Sequence, residues 1–117
     1  MNVSELLDAL HTAVAKRAYI DRLVILDQSQ SLIKARLLIS PDLFVQAYRN
    51  DRFDTTNLVL IHNNVRLYAR DQLGGQWHRH SADDPDHHDN SADGQKSVGW
   101  SGFLDEVETV LAARNLP

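Results

Sequence analysis

From Leu32 to Ile39 the chain alternates apolar and charged residues with a period of two, and this pattern constrains the fold most. Ile33, Ala35, Leu37 and Ile39 fall on one side, and Lys34 and Arg36 on the other. Side chains of a strand point alternately to its two faces, so the segment predicts a strand with one buried and one wetted face. Similar runs surround it. Ile20–Leu26 is β-branched and apolar, and Leu43–Tyr48, Leu58–His62 and Gln76–His80 are short strand candidates. The joints are polar and brief: Asp27–Gln30, Ser40-Pro41-Asp42, Asn50–Thr56, Asn63-Asn64 and Leu73-Gly74-Gly75. Asn63-Asn64 suits a two-residue hairpin, because asparagine tolerates positive φ better than most residues. Beyond it, alternation puts Val65, Leu67 and Ala69 on one side, and Arg66, Tyr68 and Arg70 on the other. Strands joined this tightly imply an antiparallel meander.

The ends of the chain follow a different period. Leu6, Leu7, Leu10 and Val14 recur at helical spacing over residues 3–16, with Asn2 and Glu5 placed for a capping box. Phe103, Leu104, Val107, Val110 and Leu111 mark a C-terminal helix, with Asp105, Glu106 and Glu108 read as its dipole-complementing early acids. The fold class is therefore α+β: an N-terminal helix, an antiparallel meander of five to six strands, and a C-terminal helix packed on one face. The 117 residues make a single domain, 1–117. Residues 81–99 hold five aspartates and no apolar side chain larger than alanine except Val98. They predict a long polar loop, functional or mobile.

Without cysteine there is no disulfide, no thiolate nucleophile and no Cys-type zinc site. No apolar run approaches the roughly 20 residues that span a bilayer, and the N-terminus lacks the features of a signal peptide. No membrane association and a cytoplasmic location are expected. The net charge of −4 divides into +2 over residues 1–70 and −6 over 71–117. The acidic whole argues against a dedicated nucleic-acid binder but leaves room for a local basic patch, with Arg49, Arg52, Arg66, Arg70 and Arg79 as candidates.

The chemistry concentrates in Gly74-Gly75-Gln76-Trp77-His78-Arg79-His80, with His87 and His88 following in the aspartate-rich stretch. On a strand His78 and His80 share one face, opposite Trp77 and Arg79.

With these residues in view, positions 43–111 resemble the TumE family of toxin–antitoxin proteins. The resemblance rests on Leu43-Phe44-Val45, on Arg66-Leu67-Tyr68 with Asp71 after it, and on Gly75–His80. Pro85 and His87, then a short acidic-apolar helix, complete the order. Ser81 stands where the family commonly has a proline after its second histidine. The resemblance implies a small intracellular prokaryotic toxin whose partner is an antitoxin encoded beside it.

Three readings of the histidine pair stand. The first is metal-independent RNA cleavage, with one imidazole taking the 2′-hydroxyl proton and the other protonating the leaving 5′-oxygen. Arg66 or Arg70 would stabilise phosphoryl charge and Asp71 would orient an imidazole, while Arg70, Arg52, Trp77 and His87 would contact substrate. No cofactor is needed for it. The second is a divalent metal held by His78, His80 and His87 with an aspartate. The third makes the histidines structural or solvated, in a non-catalytic binding protein. Exposed sheet edges also make a homodimer an expectation.

Overall fold

A computed structural model describes residues 2–74, 76–80 and 99–117. Helix α1 (Val3–Lys16) is followed by strands β1 (Arg22–Gln28), β2 (Leu32–Ser40), β3 (Leu43–Asn50), β4 (Thr55–His62), β5 (Val65–Leu73) and β6 (Gln76–His80), then helix α2 (Trp100–Ala113). The strands form one six-stranded sheet in sequence order, every neighbouring pair antiparallel. The α+β meander with two terminal helices is the architecture that the alternation and turns imply. Among the described residues no helix is long and apolar enough to cross a membrane.

Helix α1 begins on the expected capping box. Asn2 Oδ1 accepts the Glu5 N–H at 2.8 Å, and Glu5 Oε1 accepts the Asn2 N–H at 3.2 Å. Its stripe of Leu6, Leu10 and Ala13 is buried with Ile33, Ala35 and Leu37 of β2, Val45 and Ala47 of β3, and Leu58 and Leu60 of β4. Phe103, Leu104, Val107 and Leu111 of α2 join the same core, and Phe103 stacks on Tyr68. Both helices thus lie on one face of the sheet. Each fully buried leucine here removes enough apolar area to stabilise the fold by about 1.5–3 kcal/mol. The Asn63-Asn64 turn has φ of 51° and 65°, the left-handed pair that a two-residue hairpin of the right twist requires.

Three expectations are corrected. The register between β4 and β5 shifts at Leu60/Ile61, where Tyr68 faces Leu60 but Arg66 faces Ile61. A bulge therefore consumes Leu67, and Arg66 and Tyr68 end on opposite faces, unlike the simple alternation over 65–70. Second, α2 starts at Trp100 and has no acidic residue in its first turn. Its acids instead pair with side chains elsewhere. Arg17 contacts Glu108 and Asp105, and Tyr19 donates to Glu108 Oε2 at 2.8 Å.

Third, Arg49, a candidate for a basic surface patch, is buried. Its guanidinium donates to Asp51 Oδ1 at 2.9 Å, Thr56 Oγ1 at 3.0 Å, Gln72 Oε1 at 3.2 Å and Asp54 Oδ1 at 2.9 Å. Asp51 Oδ2 also accepts the Val3 N–H at 3.1 Å, which ties the start of α1 to the β3–β4 turn. Burial of the guanidinium is offset by these partners, as a buried charge requires.

Candidate functional site

Residues paired across an antiparallel ladder share a face. Following the registers, Asp27, Lys34, Tyr48, Asn57, Asp71 and His78 form one row across all six strands. Val24, Arg36, Gln46, Val59, Ala69 and His80 form the adjacent row. Both rows lie on the face away from α1 and α2, because their strand neighbours Ile33, Ala35, Leu37, Leu58 and Leu60 are in the helix-packed core.

At the β6 end of these rows the two histidines meet a carboxylate. His80 Nε2 lies 3.0 Å from Asp71 Oδ2, with both side chains buried. The other carboxylate oxygen, Asp71 Oδ1, accepts a short hydrogen bond from Asn57 Nδ2. An ionised Asp71 fixes the proton of a neutral His80 on Nε2, because a carboxylate only accepts. His78 is half-buried and is the direct cross-strand partner of Asp71. The strands β4, β5 and β6 thus present Asn57, Asp71, His80 and His78 as one polar cluster.

The other candidates fall elsewhere. Arg70 is on the helix-bearing face, where its Nε and Nη2 donate to Glu106 Oε1 and Oε2 at 3.0 and 2.7 Å. It cannot serve a phosphate beside His78, because the sheet lies between them. Trp77 is buried on that same face opposite Gln72, and so offers no stacking surface to a ligand at the histidines. Arg66 shares the histidine face through its register with Ile61, but stands five residues from Asp71 along β5. That separation is on the order of 15 Å, too far to act at one phosphoryl group with His78. Arg52 is exposed in the β3–β4 turn, its backbone N–H bonded to Asn50 Oδ1 at 3.0 Å. His87, His88 and the 81–98 segment lie outside the described residues.

Among the described residues no group of three or more His, Asp or Glu side chains is arranged to hold a metal ion. The three-histidine set His78, His80 and His87 includes a residue beyond them. A cavity of about 330 Å³ between α1 and α2, lined by Ala13, Arg17, Trp100 and Leu104, is on the opposite side of the sheet from the histidines.

Asn57 is the site residue that the sequence reading passed over. Its signal was a lone amide inside Thr55–His62, a strand otherwise rich in β-branched and apolar residues, where asparagine is disfavoured unless it bonds something.

Comparison of the chain with protein-family models, with curated proteins and with solved structures gives no match.

Proposed function

We propose that this chain is the toxin of a toxin–antitoxin pair, as its resemblance to the TumE family implies, and that it cleaves RNA through His78 and His80 without a metal. The observation that carries the reading is the contact of His80 with Asp71, itself anchored by Asn57, directly across from His78. A carboxylate behind an imidazole sets its tautomer and stabilises its protonated form, and such geometry is used wherever histidine moves protons.

In this reading His78, the more accessible imidazole, takes the proton of a ribose 2′-hydroxyl. The 2′-oxygen attacks the adjacent phosphorus, and the bond to the 5′-oxygen breaks. His80, protonated and stabilised by Asp71, gives its proton to that leaving oxygen. The products are a 2′,3′-cyclic phosphate and a 5′-hydroxyl, and no oxidant or metal enters the balance. The partner is an antitoxin, and the exposed side chains Ile25 and Leu26 on edge strand β1 give it or a second copy an apolar place to bind.

The test is induced expression of the parent, His78→Ala and His80→Ala, with growth, transcript cleavage and melting temperature recorded together. Folded but harmless variants support the pair. Parent-like growth arrest by both variants sinks it.

One observation favours a second reading. His80 is only 2% exposed, as a histidine would be whose task is to clamp β6 onto β5. The chain would then act by occupying a partner. In that case His78→Ala is silent, and deletion of 82–97 removes the effect.

A further inference from the structure

The helix-free face carries a second constellation, some distance from the histidines. Arg36 of β2 lies with its Cζ 4.5 Å from the centroid of the Phe44 ring. Its Nε donates to Gln46 Oε1 at 3.1 Å, which fixes the guanidinium plane. The Phe44 ring beneath is buried, while Arg36 itself is half-exposed. The two Nη groups have no hydrogen bond or ion pair among the described residues. A guanidinium held flat on a ring by one side contact, with its fork left over, is pre-organised for a bidentate oxyanion.

The surroundings extend this site toward the histidines. Lys34 precedes Arg36 by two residues on the same face and has no ion pair within 4 Å among the described residues. Asp27 faces Lys34 across the ladder without reaching it, and Asp71 is engaged with Asn57 and His80. Arg22 faces Leu38, and Arg66 faces Ile61, so both lie on this face as well. Among the described residues this face thus carries four basic side chains, Arg22, Lys34, Arg36 and Arg66, and two carboxylates, Asp27 and Asp71. Between Lys34 and His78 the row runs through Tyr48, Asn57 and Asp71: a half-exposed aromatic ring, an amide, and the buried carboxylate already bonded to Asn57 and His80. The span is four strand spacings of about 4.8 Å, on the order of 19 Å. That length suits a few nucleotides of extended single strand, whose backbone needs cations and whose bases need an aromatic face.

We propose that Arg36, stacked on Phe44 and held by Gln46, is a phosphate-binding subsite for single-stranded RNA, whose strand crosses the sheet over Lys34 and Tyr48 toward His78. The direction of that path rests on the cleavage reading above. The subsite itself rests on the geometry of Arg36.

The test uses the full chain and a 2′-O-methyl RNA oligonucleotide, which cannot be cut by attack of a 2′-oxygen, with binding followed by fluorescence anisotropy across a salt series. The parent should bind with a steep salt dependence. Arg36→Ala should weaken binding at least tenfold and reduce the salt slope by about one phosphate. Arg36→Lys should recover only part, since it keeps the charge but loses the fork, and Lys34→Ala should weaken binding several-fold. Melting temperatures of all variants accompany the titrations, and Arg36→Lys and Lys34→Ala carry the test if Arg36→Ala does not fold.

Parent-like binding by folded Arg36→Ala and Lys34→Ala overturns the subsite, as does a parent that does not bind the oligonucleotide at low salt. Equal competition by duplex DNA overturns the single-strand assignment. Because the oligonucleotide is not cut, the two readings separate. Arg36-dependent binding by a chain that cleaves nothing leaves the subsite standing and removes the nuclease. Cleavage with Arg36-independent binding does the reverse.

Discussion

Asp71 Oδ2 and His80 Nε2, 3.0 Å apart, join the last two strands of the sheet, while Asp71 Oδ1 reaches back to Asn57 on β4. One carboxylate thereby connects three strands. Asp71→Asn keeps the shape but loses the charge, and a hydrogen bond to a charged group contributes about 1.5–3 kcal/mol. The variant should melt several degrees lower and, in the cleavage reading, lose at least 100-fold in cleavage rate. Asn57→Ala should show a smaller loss in both. Urea denaturation and a transcript-cleavage assay check this, and an Asp71→Asn protein with parent-like values in both would refute the relay.

The Arg70–Glu106 pair belongs to packing, not to chemistry. It fastens α2 to β5 by two hydrogen bonds on the face away from the histidines. Removing one member leaves a charge with its partner missing, and should cost about 3 kcal/mol or more for Arg70→Met. The double change Arg70→Met, Glu106→Leu should recover part of the loss, because an apolar pair of similar volume fits the site. Activity per folded molecule should be unchanged in both. A lower specific activity at equal folded fraction would show that the two faces are coupled.

Alkaline pH should unfold the protein early. Burial, reinforced by the Glu106 carboxylate, raises Tyr68 from 10.0 to about 12. Burial and the Glu108 carboxylate push Tyr19 up as well. A phenol whose folded-state pKa is raised contributes stability that is complete below its unfolded value and is lost as pH rises through the folded one. Stability should therefore fall from pH 10 toward about 12, with tyrosinate absorbance lagging behind that of the denatured chain and then rising with unfolding. Tyr68→Phe should flatten the slope in this window; an unchanged slope would place its cause elsewhere.

The hairpin at Asn63 and Asn64 gives a local test. Both residues sit at positive φ, so a β-branched replacement is strained there. Asn63→Val should destabilise by about 1–2 kcal/mol, the ordinary cost of the left-handed region for such a residue. Asn64→Gly should be neutral or stabilise by a few tenths of a kcal/mol. Thermal melts of the two variants decide it, and equal melting temperatures would contradict the turn geometry.

What the sequence determined by itself was local. Alternation over Leu32–Ile39, the stripe Leu6–Leu10–Val14, the Asn2–Glu5 cap and the Asn63-Asn64 turn each express backbone geometry within a few residues. They sufficed for an α+β meander between two helices, and for His78 and His80 on a common face. Tertiary structure decided what local periods do not carry. A one-residue bulge at Leu67 reversed the face of Arg66 relative to Tyr68 and Arg70, because a period of two survives only in an unbroken ladder. Burial turned Arg49 into the centre of a buried network and Arg70 into a fastening for α2, since a desolvated guanidinium must find acceptors wherever the fold supplies them. The same assembly drew Asn57, Asp71 and His80, far apart along the chain, into one cluster, because register across three strands, and not spacing in sequence, sets which side chains meet.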